Sequence, residues 1–167
     1  YRASYSAHKS QGGGVLRDLS HELDYVNWLF RGWERLTALG GTVSTLEIDT
    51  DDVFALLMET RDCPVVTVQL NYVDRVFRRE ILVNTDLSTF RADLIKGTLH
   101  IDESPPEVLH ASRDETYIAQ HRAVLAAACD TLATLEDGVN VLRMIDVAER
   151  AARDGCWISR TQEGATG

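Results

Sequence analysis

The chain has 167 residues, enough for one domain with a real core and too few for two ordinary ones. Hydrophobic residues make up 44% and charged residues 26%, which excludes a disordered tail. The net charge of -9 argues against nucleic acid, which needs a concentrated Lys/Arg surface, and against an anionic membrane.

Cys63, Cys129 and Cys156 are odd in number and far apart, so they form neither a metal-type pair nor a disulfide framework. Buried structural thiols are expected. No apolar run approaches the ~20 residues of a membrane span, and no signal peptide is visible. A cytoplasmic protein is expected. The chain opens at Tyr1 in what reads as mid-sequence, so a piece of a longer protein is expected too.

Residues 1–14, "YRASYSAHKSQGGG", read as a loop feeding a helix. From Val15 the apolar period is helical: Val15, Leu16, Leu19, Leu23, Val26 and Phe30 share one arc, and Gly32 ends the helix. Strand-type runs come after it. Trp33 to Val43 is broken by Gly40-Gly41; Asp52 to Thr60, Pro64 to Val73 and Val76 to Asn84 come next. Ser88 to Leu94 and Thr98 to Asp102 flank a Lys96-Gly97 hairpin turn. Connections this short imply antiparallel pairing.

Val66, Val68, Leu70 and Tyr72 alternate with polar residues, whereas "FALLM" (Phe54 to Met58) is apolar on both faces. A sheet with such a second face is often covered by another subunit; the alternative is that a local loop covers Phe54 and Met58. Pro105-Pro106 reads as a linker. Ser112 and Glu115 form a capping box for a helix carrying Ile118, His121, Leu125, Ala128 and Leu132. A second helix starts near Thr134 with Asp137 at its third position. It runs through Val139, Leu142, Ile145, Ala148 and Ala152 to Gly155, and Cys156 to Ile158 can form a last strand. The fold class is α+β, an open and mainly antiparallel sheet with helices packed on one face and the other face read as an oligomer interface.

Opposite the apolar arc of the first helix lie Asp18, His21, Tyr25 and Trp28, at i, i+3, i+7 and i+10. A carboxylate within reach of an imidazole suits general acid/base chemistry at an alcohol or carbonyl. Tyr25 and Trp28 add apolar surface for a sugar-like ligand or an abutting domain. The alternative is a solvated face with one weak Asp–His pair. No metal site is expected: "HELDY" places Tyr25 where a zinc-protease helix needs histidine, and the other histidines lack ligand spacing. His121 is expected in the interior or at an interface. No Walker or Gly-x-Gly-x-x-Gly loop exists, so these residues bind no nucleotide by themselves, and no Gly-x-Ser-x-Gly elbow supports a hydrolase.

The stretches "SYSAHKSQGGGVLRDLSHELDYVNWLF", "EIDTDDVFALLME" and "LEDGVNVLRMIDVAERAARDG" together resemble the C-terminal domain of the Gfo/Idh/MocA (glucose–fructose oxidoreductase / inositol dehydrogenase) family, over roughly Tyr1 to Ile158. The resemblance implies a single substrate-binding and dimerisation domain over 1–167. An N-terminal Rossmann domain holding NAD or NADP, and the first strand of this domain, would lie outside it. It implies that His21 exchanges a proton with a substrate hydroxyl and that Asp18 orients the histidine or binds hydroxyls. Many members space that pair by four residues. Here the spacing is three, which turns the histidine by about 100° on an unbroken helix. Tyr25, Tyr5, Lys9 and Arg2 would line the substrate, with Gly13 and Gly14 near the cofactor. The implied activity is NAD(P)-dependent oxidation of a secondary alcohol on a sugar, polyol or sugar nucleotide by a homo-oligomer, the piece alone being inactive and without cofactor. The alternative is a non-catalytic oligomerisation or binding module.

Overall fold

The structure, a computed structural model, describes residues 4–109, 112–128 and 132–161. After two 3-10 turns, Tyr5–Ala7 and Lys9–Gln11, come helices α1 (Val15–Asp18) and α2 (Ser20–Phe30). Strands β1 (Trp33–Gly41), β2 (Val53–Thr60), β3 (Val66–Asn71), β4 (Glu80–Asn84), β5 (Thr89–Asp93), β6 (Thr98–Ile101) and β7 (Glu107–Val108) are next in the chain. Helices α3 (Arg113–Leu125) and α4 (Leu135–Asp154) and strand β8 (Ile158–Ser159) complete the order. Every strand pair among the described residues is antiparallel; the short connections require this of strands that follow one another, and β8 pairs back onto β1 after α4.

The chain divides into two units, Tyr1–Val73 with Thr134–Gly167, and Asp74–Ala133. The first holds a sheet of order β3-β2-β1-β8. Its register places Leu36 opposite Met58 and Ile158, and Phe54 opposite Leu70. Period-2 alternation turns Phe54, Leu56 and Met58 inward, where they form one core with Leu16, Leu23, Val26, Met144, Ile145 and Ala148 of the helices. Phe54 and Met58 are therefore covered by this unit's own core, and it is Ala55 and Leu57 that face outward.

Four expected boundaries move, one of them in α3, which ends at Leu125 and leaves Ala128 and Leu132 beyond it. The first helix is two helices, because Leu19 leaves the helical region at φ -100° and ψ 25°. The Gly40-Gly41 pair continues β1 rather than breaking it, and Gly40 lies beneath Phe54. The run from Val76 becomes a strand only at Glu80. In α4 the buried stripe is Val141, Met144, Ile145, Val147, Ala148 and Ala151. Leu142 is exposed, since the helix turns its Met144 side to the core.

The capping boxes form as expected. The Glu115 N–H donates to Ser112 Oγ at 3.2 Å, and the Asp137 N–H to Thr134 Oγ1 at 3.2 Å. Gly155 ends α4 at φ 63°. In the second unit the sheet runs β4-β5-β6-β7, and Asp93 secures the hairpin turn by accepting from the Ile95 and Lys96 amides. The Pro105-Pro106 segment leads into β7, which the sequence pattern does not reveal. His121 is exposed, its Nδ1 2.7 Å from the Tyr117 carbonyl, so the interior reading fails for α3, which buries none of its described side chains. Cys63 is half-buried and Cys156 exposed, which corrects the buried reading for Cys156; Cys129 lies outside the described residues. Among the described residues, no helix is long and apolar enough to cross a membrane.

Candidate active site

The glycine run sets where the site begins. At Gly13 an added Cβ would sit 2.5 Å from the carbonyl oxygens of both Tyr5 and Ser6. At Gly14, φ is 124° and a Cβ would overlap the Asp51 carboxylate. Asp51 occupies that place to cap α1: its carbonyl accepts from the Val15 amide at 3.0 Å and its Oδ2 from the Leu16 amide at 3.0 Å. Asp52 is fully buried and closes the next loop, accepting from the Val43 amide at 2.8 Å, the Ser44 amide at 3.0 Å and the Ser44 hydroxyl. Burial alone would raise the Asp52 carboxyl, but these hydrogen bonds outweigh it and hold the group below its ordinary value. Thr50 completes the clamp, its hydroxyl donating to the Ser6 carbonyl at 3.0 Å.

The Gly13 amide donates to the His8 carbonyl, and the first amides of α1 are taken by Asp51. The helix itself spans four residues. These contacts hold the glycine turn against His8 and Asp51.

The break at Leu19 re-phases α2 relative to α1. Asp18 closes α1 and turns to the residue just after β3, where the Tyr72 hydroxyl donates to its Oδ2 at 2.7 Å. Its Oδ1 is buried and accepts no hydrogen bond among the described residues. His21 lies in the first turn of α2 with half its side chain open, and its Nε2 is 3.0 Å from Glu22 Oε1. Glu22 is 8% exposed, and its Oε2 accepts from the Tyr25 hydroxyl. The expected Asp18–His21 pair is thus replaced by two separate ones, Asp18 with Tyr72 and His21 with Glu22. Tyr25 packs partly against the core, whereas Trp28 is 76% exposed.

The remaining candidates are dispersed. Tyr5 is exposed on its 3-10 turn. Lys9 donates its backbone amide to Asp49 Oδ1 at 2.7 Å and lines a groove of about 450 Å3 with Arg17, Asp51 and Glu149. Asp18, His21 and Tyr25 are not among that groove's walls. Arg17 pairs with Glu149 there, and this hydrogen bond, more than burial opposes it, raises the guanidinium further above its ordinary value. Arg2 lies outside the described residues. Among those residues, no three His, Cys, Asp or Glu side chains group to hold a metal. Glu22 and Tyr72 escape a reading based on one ideal helix. The i, i+3 spacing of Glu22 and Tyr25 was the available signal for the first, and nothing local points to the second.

Comparison with known proteins agrees with this architecture. The chain is similar in structure to an NAD binding oxidoreductase from Klebsiella pneumoniae, at a TM-score of 0.78 and 16% identity, covering 93% of this chain and 53% of that one. It is similar to GenD2 from gentamicin A biosynthesis, solved in complex with NAD, at 0.72 and 21%, covering 93% and 50%. The WlbA dehydrogenase from Bordetella pertussis, in complex with NADH and UDP-GlcNAcA, matches at 0.67 and 19%, covering 88% and 48%. At these identities the likeness is one of fold, and the chain spans about half the length of the structures it matches. No curated protein matches its sequence. The sequence profile of the GFO/IDH/MocA C-terminal domain matches residues 1–90, more than half of the chain, and the chain therefore belongs to that family.

Proposed function

We propose that the intact protein is a nicotinamide-dependent dehydrogenase that oxidises a secondary alcohol of a sugar, polyol or sugar nucleotide, or reduces the matching ketone. Residues 1–167 are its substrate-binding and oligomer-forming domain. The observation that carries this reading is the half-open His21 beside a buried carboxylate, three residues from Asp18, whose buried Oδ1 lacks a partner among the described residues. An unsatisfied buried oxygen costs about 1–3 kcal/mol, and such a cost is more readily explained by function than by architecture. Family membership, the NAD complex of GenD2 and the NADH complex of WlbA support the reaction class.

The dinucleotide would be held by a separate domain with Gly13 and Gly14 near it, and it supplies the hydride acceptor. NAD is favoured over NADP by those relatives. Within this chain, His21 takes the proton of the substrate hydroxyl as the alcohol is oxidised and returns it on reduction. Asp18, fixed by Tyr72, binds substrate hydroxyls rather than orienting the histidine. Tyr25, Tyr5, Lys9 and Arg2 stand as candidate substrate contacts. The UDP-GlcNAcA carried by WlbA supports a sugar nucleotide within that substrate class.

The outer face of the first sheet presents Leu39, 77% exposed, diagonal to Leu57, with Ala55 opposite Leu39. A second copy of the protein is the occupant we assign to it. The test of the activity is a panel of free aldoses, polyols and UDP-sugars offered to the intact protein with NAD or NADP. Reduction of the cofactor by one of them supports the reading; none turned over would sink it.

A further inference from the structure

Resting on His21 as the proton-exchanging group, we infer that Glu22 is its positioning residue and that Tyr25 holds Glu22 in place. Asp18 plays no part in orienting the ring. Three observations converge. Glu22 is the carboxylate adjacent to the imidazole, with Oε1 3.0 Å from Nε2, and it is buried while half of His21 is open. Its other oxygen is occupied by the Tyr25 hydroxyl, one turn further along α2, which removes the rotation that would let the carboxylate swing away. Asp18, the residue that sequence spacing offers for the role, sits beyond the Leu19 break and is bound to Tyr72.

The chemistry rests on what each group can do. With Glu22 accepting through Oε1, the ring nitrogen that faces it, Nε2, carries the proton. In the neutral ring the lone pair is then on Nδ1, and Nδ1 takes the hydroxyl proton. The imidazolium so formed has its positive charge beside Glu22, in a partly buried setting where an opposite charge is worth more than in water.

The experiment is long-range 1H–15N NMR of the histidine rings in the intact protein at neutral pH, with the His21 signals assigned by their loss in His21→Ala. Wild type should show one fixed tautomer, Nε2–H. In Glu22→Gln both ring nitrogens should move toward the averaged shifts of a freely exchanging imidazole. Tyr25→Phe, which removes only the hydroxyl, should shift them in the same direction and less. Asp18→Asn should leave them in place. With the substrate found in the panel, kcat of Glu22→Gln should fall on the order of 100-fold while KM holds. Ring shifts unchanged in both Glu22→Gln and Tyr25→Phe, or moved equally by Asp18→Asn, overturn the inference. That result is separate from failure of the functional reading, which is turnover retained in His21→Ala. Should Glu22→Gln not fold, the Tyr25→Phe and Asp18→Asn spectra decide the matter.

Discussion

Replacing Asp52 by Asn tests whether the loop clamp beside the site rests on a charged acceptor. The wild-type carboxylate has no solvent exposure and accepts three hydrogen bonds, from the Val43 and Ser44 amides and the Ser44 hydroxyl. A hydrogen bond to a charged group contributes about 1.5–3 kcal/mol. Val43 is 65% exposed, so water can replace part of what is lost at that end of the loop. The amide keeps one good acceptor oxygen. Losing the charge and roughly one bond gives about 2–4 kcal/mol of destabilisation. Urea unfolding of the intact protein near neutral pH measures it, with Trp33, 2% exposed at the start of β1, among the fluorescence reporters. The sign with pH is fixed. The folded-state value of Asp52 is lowered, so its contribution is complete above the unfolded value of about 3.9 and fades as pH falls through the folded value. Wild type and Asp52→Asn should therefore converge in acid. A difference under about 0.5 kcal/mol at neutral pH, or a gap that persists in acid, refutes the reasoning.

Gly13→Ala should destabilise by about 1–3 kcal/mol, because its Cβ meets two backbone carbonyls that cannot rotate away; a neutral result in the same unfolding assay means the 5–7 turn is not packed there. Thr134→Ala should cost about 1 kcal/mol through loss of the α4 cap, and thermal melts read it directly. Leu57→Arg, on the outer sheet face, should lower the mass of the particle in light scattering without changing its circular dichroism, whereas an unchanged mass excludes that face as the interface between copies.

Much of the fold was legible because its signals are local. Ser112 with Glu115 and Thr134 with Asp137 mark helix starts through side chains that satisfy their own first turn. The spacing of strands leaves no room for crossovers. Other features depend on distant residues. Leu19 is a good helix former, and nothing beside it announces that α1 stops at Asp18; the stop accompanies a hydrogen bond from Tyr72, 54 residues away. The break is why an ideal helical wheel pairs Asp18 with His21 when Glu22 is the carboxylate at ion-pair distance. At Gly13 and Gly14 the demand for glycine comes from Tyr5, Ser6 and Asp51, which close over them only in the folded chain. His21 was visible at once as a candidate; its carboxylate neighbour Glu22 was not paired with it.

The most direct test of the central claim is His21→Ala in the intact protein, assayed by cofactor reduction with the substrate the panel identifies. The account predicts a loss of turnover of about 100-fold or more, with a smaller change in KM. Turnover within about threefold of wild type would contradict it, since a proton-exchanging group cannot be removed at so little cost.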